Sequence, residues 1–367
     1  MDPMKIGVIG CGNISGIYLQ NGRMLEAIEI AAVADLDADR ARAQADKYDV
    51  PRVCSPDELL ADEQIQMVLN LTPPPAHAAV ARAAIQAGKH VYNEKPLTVT
   101  VEEGRDLLAL ARDKGVRVGC APDTFLGAGL QTCRRLIESG AIGRPVAATA
   151  FMTCHGHESW HPDPEFYYKP GGGPMLDMGP YYLTALVHLV GPIEAVTGCS
   201  AVTFPQRTIG SAPKKGQVID VEVATHVVGA MQFANGAIGN IITSFDIWGA
   251  NLPRIEIYGT EGSLSVPDPN TFGGTVKLLE AGNKEWVEQE LTGPYAENSR
   301  GVGPADMAAA IASGRPHRAS GELAFHVLEA MHGIIDAGSE RKFIEMTTQP
   351  AQPAPLPAGL QQGQVEP

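Results

Sequence analysis

The stretch Lys5-Ile6-Gly7-Val8-Ile9-Gly10-Cys11-Gly12-Asn13-Ile14-Ser15-Gly16 decides the fold. An apolar, β-rich run passes directly into glycines spaced GxGxxxG, which predicts a strand turning sharply into a helix. Gly10 permits the tight turn, and Gly12 lets the backbone approach a pyrophosphate at the helix N-terminus. Asn13 and Ile14 complete that loop, and a small residue at Ser15 or Gly16 allows close helix–sheet packing. The spacing is one residue longer than GxGxxG, so the loop is a weak signal until its context is added. That context is the next β-rich run, Ile28–Ala34, which ends at Asp35, nineteen residues past Gly16. A carboxylate there can accept hydrogen bonds from ribose hydroxyls. Leu36 and Asp37 follow, with no arginine, and two carboxylates repel a 2′-phosphate. NAD is therefore expected as cofactor, with NADP left open.

Working outward, the first third alternates strands with helices. Candidate strands are 5–9, 28–34, 66–71, 90–93 and 117–120. Ser55-Pro56-Asp57-Glu58 and Thr100-Val101-Glu102-Glu103 read as capping boxes, and the helices over 76–87 and before Gly115 stop at glycine. Such alternation requires crossovers and a parallel sheet covered on both faces. Residues 1–123 are thus expected to form a doubly wound Rossmann domain of the α/β class. From 124 to 345 the pattern predicts an α+β domain with an open, mostly antiparallel sheet. It holds a helix over 129–139, a strand over 145–153, a helix starting near Asp177, and strands over 221–233, 237–245 and 254–258. Asn235-Gly236 between two β-rich runs is a hairpin signal. A helix over 322–337 follows. The tail 346–367 carries Pro350, Pro353, Pro355, Pro357 and several glutamines, and is expected to be disordered or to wrap a neighbour.

Composition narrows the function classes. At 367 residues, 44% hydrophobic and 19% charged, the chain can bury the cores of two domains. A formal charge of −14 argues against nucleic acid, whose phosphates need clustered Lys and Arg. No basic segment, long apolar run or cleavage site precedes the first strand, so neither a signal peptide nor a membrane span is expected. The six cysteines are scattered without a CxxC pair, which suits reduced thiols and a cytoplasmic protein.

Three further blocks matter together: Thr72-Pro73-Pro74-Pro75-Ala76-His77, Gly88-Lys89-His90-Val91-Tyr92-Asn93-Glu94-Lys95-Pro96, and Gly171-Gly172-Gly173-Pro174-Met175-Leu176-Asp177-Met178-Gly179. With the glycine loop they resemble the glucose–fructose oxidoreductase / inositol dehydrogenase / MocA family over roughly residues 4–345. The resemblance implies a Rossmann domain joined to an α/β domain whose open sheet forms a homodimer or homotetramer interface. It also implies oxidation of a sugar or polyol hydroxyl, or reduction of the ketone. By the same resemblance Lys95 is the catalytic lysine and Pro96 shapes the turn that aims it. Glu94, Thr72 and Pro73 should line the cofactor near its nicotinamide end, with His77 a weaker candidate. Independently, Lys95 lies just past the carboxyl end of a strand, where open α/β sheets place ligands. Partial desolvation should lower its pKa and suit it to proton exchange with a hydroxyl.

The second-domain motif departs from the commonest family pattern, because Tyr181 and Thr184 stand where a histidine and an aspartate are usual. Asp177, Tyr181, Thr184 and His188 fall on one helical stripe, so Asp177 and Tyr181 are expected to act at the substrate. Thr184 is a weaker contact, and His188 is expected to pack. In Cys154-His155-Gly156-His157-Glu158-Ser159-Trp160-His161, polar donors beside a flat aromatic suit a polyhydroxylated ring. His155, His157 and Trp160 are therefore candidate substrate contacts, and no metal is expected. Asp123 and Thr124 are further candidates, with helix capping as the alternative. The expected protein is an NAD(P)-dependent dehydrogenase acting on a carbohydrate or polyol. Redox-neutral, NAD-assisted glycoside elimination and a non-catalytic sensor are the competing readings.

Overall fold

A computed structural model describes residues 2–366. The N-terminal half builds as the alternation predicts. Strands β1 (Met4–Ile9), β2 (Ile28–Ala34), β3 (Val53–Cys54), β4 (Met67–Asn70), β5 (His90–Asn93) and β6 (Val118–Cys120) are all parallel, in the order β3-β2-β1-β4-β5-β6. Helices α1 (Ser15–Gly22), α2 (Ala38–Tyr48), α3 (Pro56–Ala61), α4 (His77–Gln86) and α5 (Val101–Lys114) connect them. β4 is buried at all four positions, as a central parallel strand covered on both faces must be. Both expected capping boxes form, at Ser55/Glu58 and Thr100/Glu103. The strand order reverses between β1 and β4, which opens a crevice beyond their carboxyl ends.

The second half contains helices α6 (Ala128–Glu138), α7 (Gly173–Leu189), α8 (Val302–Ser313) and α9 (Gly321–Glu340). Its strands are β7 (Pro145–Thr153), β8 (Ile193–Ala201), β9 (Gln206–Thr208), β10 (Val218–Asp220), β11 (His226–Phe233), β12 (Ile238–Ser244), β13 (Ile255–Gly259), β14 (Gly262–Val266), β15 (Val276–Glu280), β16 (Val287–Gln289) and β17 (Ile344–Glu345). Nine of them form one sheet in the order β16-β15-β14-β13-β7-β12-β11-β8-β17, in which only β7 and β12 run parallel. The Asn235-Gly236 hairpin joins β11 to β12 as expected, with Gly236 at φ 84°. Burial alternates along β7, with Ala148, Ala150 and Met152 turned inward, so one face is packed and the other is left more open. The packed face meets α7 and α9; Gly198 and Gly229 lie flat enough for Ile334 of α9 to rest on them.

Some expectations are corrected. α7 begins at Gly173 rather than near Asp177, because Pro174 sits in the first turn, where its missing N–H costs nothing. β11 begins at His226, five residues later than expected. α8 went unforeseen, since its Gly301-Val302-Gly303-Pro304 start reads as a turn. The tail is held against its own chain. Leu356 N–H donates to Gln131 (2.7 Å) and its carbonyl accepts from Arg135 (3.1 Å). Arg318 donates to the carbonyls of Ala354 and Pro355, and Glu26 N–H to that of Gly363. Prolines lack N–H groups but keep carbonyls, so a Pro-rich segment is held well by side-chain donors.

Candidate active site

The glycine loop fits a dinucleotide. Gly10 has φ 101°, and a Cβ there would strike the Leu71 carbonyl at 2.7 Å, so only glycine serves. At Gly12 a Cβ would meet nothing within 4 Å, leaving the backbone open to a ligand. No side chain caps α1; Ser15 N–H donates to the Gly12 carbonyl (3.1 Å), and the helix N-terminus beyond it faces the loop where an anion would sit. Asn13 is exposed and Ile14 half-buried at this rim. Gly16 packs closely, but against the Tyr48 hydroxyl of α2 rather than the sheet. Asp35 accepts from Cys11 N–H (2.7 Å) and Asp37 N–H (2.9 Å), which ties the end of β2 to the loop. Arg40, which the sequence reading did not consider, lies 3.7 Å from Asp35 and 3.4 Å from Asp37.

A buried polar network fixes the loops after β4 and β5. Asn70 donates to the Asn93 side chain (3.0 Å) and accepts from Thr72 Oγ1 (2.7 Å). Fully buried His77 places Nδ1 2.7 Å from the Pro96 carbonyl and Nε2 2.8 Å from that of Thr72. His77 thus clamps the loop of Thr72 and Pro73 to the Lys95-Pro96 turn, buried with both ring nitrogens engaged. Glu94 accepts from Tyr18 (2.8 Å) and from Lys95 N–H (2.9 Å), so it braces the lysine loop from below.

Lys95 reaches across to the second domain. Its Nζ donates to Asp177 Oδ1 and to the Asp177 main-chain carbonyl, each at 2.7 Å. Pro180 lies inside α7, where its missing N–H and bulky ring disturb the ladder around these carbonyls. The lysine and aspartate side chains keep 17% and 15% exposure, enough for a ligand to touch them. Burial opposes the charge on Lys95, but Asp177, Tyr181 and Glu94 outweigh it and hold its pKa above the ordinary lysine value. The expected lowering is therefore reversed: the lysine rests as an ammonium. Burial likewise opposes ionisation of Asp177, and Lys95 with His157 overcomes it, bringing the carboxyl down to about 2.

Tyr181 lies beside this pair with its ring face, not its hydroxyl, toward the lysine; Nζ is 5.2 Å from the ring centroid. The hydroxyl instead pairs with Arg300. Burial raises the Tyr181 pKa, with Glu94 adding to the rise, and Lys95 and Arg300 only partly offset it. His157 places Nε2 3.5 Å from Asp177 Oδ2, and Trp160, 61% exposed, lies 5.3 Å from that imidazole. His155 stacks on Trp248 at 3.4 Å. Glu158 accepts from Arg207 (3.0 Å) and Tyr168, so it is spent on packing. No group of three His, Cys, Asp or Glu among the described residues is arranged to hold a metal ion.

Asp123 and Thr124 are corrected. Both are buried, and Asp123 accepts from Gly301 N–H (2.8 Å) and Gly303 N–H (3.0 Å) at the start of α8. The capping alternative holds, and burial raises this carboxyl to about 6 despite those amides. Thr184 and His188 are also buried, His188 against Phe125 (5.1 Å). Two residues near the pair were missed. Tyr167, six residues past the quoted aromatic loop, lies 4.4 Å from His157, and Arg300 sits in an irregular segment with no sequence signal.

A Rossmann crevice with an anion-ready glycine loop, closed by a lysine–aspartate pair, defines an NAD-binding oxidoreductase. Residues 4–121 match the oxidoreductase family with an NAD-binding Rossmann fold, and residues 130–265 match the GFO/IDH/MocA C-terminal domain. The chain belongs to the Gfo/Idh/MocA family. It is 30% identical to 1,5-anhydro-D-fructose reductase of Ensifer adhaerens, over 70% of this chain and 74% of the relative. It is 26% identical to myo-inositol 2-dehydrogenase of Thermotoga maritima, over 71% and 74%. The fold is similar to that of levoglucosan dehydrogenase in complex with NADH and L-sorbose (TM-score 0.80, 23% identity, 94% of this chain and 99% of the other). No helix among the described residues is long and apolar enough to cross a membrane.

Proposed function

We propose that the chain is an NAD-dependent dehydrogenase that oxidises a hydroxyl of a sugar, sugar derivative or cyclitol. The observation that carries this reading is the Lys95–Asp177 pair, joined at 2.7 Å where α7 closes over the cofactor crevice. The names of the relatives, a sugar reductase and an inositol dehydrogenase, support the substrate class.

Bound NAD supplies the hydride-accepting carbon. The other roles fall to the chain. Gly10, Gly12, Asn13 and Ile14 take the pyrophosphate, Asp35 the ribose, and Thr72, Pro73 and the loop braced by Glu94 the nicotinamide side. Lys95, as an ammonium, donates to the reacting oxygen and stabilises negative charge that builds there as the hydrogen leaves. In ketone reduction the same ammonium steadies the nascent alkoxide. Asp177 holds the ammonium in place. Trp160 offers a face to the C–H side of a sugar ring, with His155, His157 and Tyr181 among its polar contacts. The more open face of the nine-stranded sheet, where Ile238 is 64% exposed, serves as the interface of a homodimer or homotetramer, to be checked by sedimentation.

The test is NADH formation across aldoses, ketoses, branched sugars, inositols and glycosides, with NADP in parallel. Turnover of at least one with NAD is expected. No turnover across the panel, with NAD binding intact, would overturn the reading.

A further inference from the structure

An alcohol oxidation has to dispose of the hydroxyl proton, and the groups that bind the oxygen are poorly suited to take it. Lys95 already carries its full complement of protons and donates two of its hydrogen bonds to Asp177. The Tyr181 hydroxyl is turned to Arg300. Asp177 is spent holding the ammonium through Oδ1, but its other oxygen, Oδ2, faces His157 Nε2 at 3.5 Å. One carboxylate therefore has the ammonium on one side and an imidazole on the other.

We infer that His157 is the catalytic group that takes the substrate's hydroxyl proton, oriented for that task by Asp177. The inference rests on the dehydrogenase reading and supplies its missing proton acceptor. An imidazole that points Nε2 at a carboxylate carries its proton there and keeps the lone pair on Nδ1. No described residue hydrogen-bonds Nδ1, and that atom is not sealed from solvent. The ring is held on three sides by Tyr167 (4.4 Å), Phe245 (4.6 Å) and Trp160 (5.3 Å), which fixes its edge relative to Asp177. The ionisable groups around it are accounted for. Asp177 and Tyr181 come from α7, Lys95 from the loop after β5 and Tyr167 from the turn before α7. Behind it, Arg207 pairs with both Glu158 and Asp246, a cluster left with one net negative charge, and His161 lies beyond Trp160 and Tyr167.

The step balances. The substrate O–H bond breaks toward Nδ1 of His157, and the C–H bond breaks with its electron pair leaving as hydride to NAD. The C=O bond forms, and the imidazolium returns its proton to solvent through its 13% exposed side chain. Lys95 steadies the oxygen throughout without changing its own protonation. Histidine is the side chain best suited to such exchange near neutral pH.

Two readouts on the full chain test this. In the NADH-bound protein labelled with [15N]histidine, the signal lost in His157→Asn should report a neutral ring at pH 8 with its proton on Nε2. That signal should become imidazolium as the pH falls, and its tautomer should relax in Asp177→Asn. A proton on Nδ1 at pH 8, or a ring that never changes charge between pH 5 and 8, would overturn the inference. In NAD-dependent oxidation of myo-inositol, levoglucosan and the rest of the panel, His157→Asn should lower kcat/KM by about 10²–10⁴-fold and abolish the acid limb of its pH profile. NADH affinity should be unchanged and added imidazole should restore part of the rate. An acid limb that survives in His157→Asn would overturn the assignment. Should the wild type oxidise nothing, the dehydrogenase reading fails, and the NMR result alone decides whether His157 is poised as a base.

Discussion

Replacing Asp177 by asparagine should release the proton of Lys95 into an observable range. The carboxylate stands 2.7 Å from Nζ and is the largest influence favouring the ammonium. With an effective dielectric of ~20, a unit pair at that distance interacts by roughly 6 kcal/mol, or about 4 pKa units. Both side chains keep some exposure, and the asparagine oxygen still accepts one hydrogen bond, so about 2 units of fall is a sound expectation. Burial, which already opposes the charge, then faces only Tyr181 and Glu94. The lysine 13Cε resonance assigned by Lys95→Met should show no titration up to about pH 11.5 in the wild type and a clear one, its midpoint about 2 units lower, in Asp177→Asn. A Lys95 that still fails to titrate by about pH 11.5 in Asp177→Asn would refute the claim that Asp177 keeps it charged.

Asp123→Asn keeps Oδ1 as acceptor for both glycine amides and should alter stability near pH 7 by no more than about 1 kcal/mol, whereas Asp123→Ala should cost ~2–4 kcal/mol in urea unfolding. Substrate KM should be unmoved in Asp123→Asn; a large rise would restore a substrate role for that residue. Buried His188 and His326 are pushed down by burial to about 3 and about 4, so their stability is present above the ordinary value of ~6.5 and lost as pH falls below it. Each should cost about 2 kcal/mol by pH 5, and His188→Gln should remove about 2 kcal/mol of the pH-dependent loss; an unchanged loss in that variant would contradict this. Asp35→Ser removes the carboxylate that a 2′-phosphate would meet and frees Arg40 from one partner. The NADPH:NADH affinity ratio, read by fluorescence titration, should rise by at least ~10-fold, about 1.4 kcal/mol; an unchanged ratio removes Asp35 from cofactor discrimination.

The parallel domain was legible because its signals are local. Capping boxes, helix-ending glycines and a glycine loop after a strand each act within a few residues, and all appear where the sequence places them. Lys95 and Asp177 were singled out by motifs that the family resemblance marked, and the structure places their side chains 2.7 Å apart. What escaped depends on partners far along the chain. Asp123 looked like a strand-end ligand, and only the return of Gly301 and Gly303 beneath it shows that it caps α8. The charge state of Lys95 depends on a carboxylate 82 residues away, so reasoning from desolvation alone chose the wrong sign. Arg300 and the docked tail had no pattern to announce them. Their places follow from tertiary acceptors, the Tyr181 hydroxyl in one case and the carbonyls of Ala354, Pro355 and Leu356 meeting arginines in the other.

The most direct measurement is turnover by Lys95→Met on the panel sugar that the wild type oxidises best, with NAD binding followed in parallel by calorimetry. Loss of at least ~10³-fold in NADH formation, with NAD affinity within a few-fold of wild type, is the expected result. Near-normal turnover with intact binding would contradict the assignment of the reaction to the Lys95–Asp177 site.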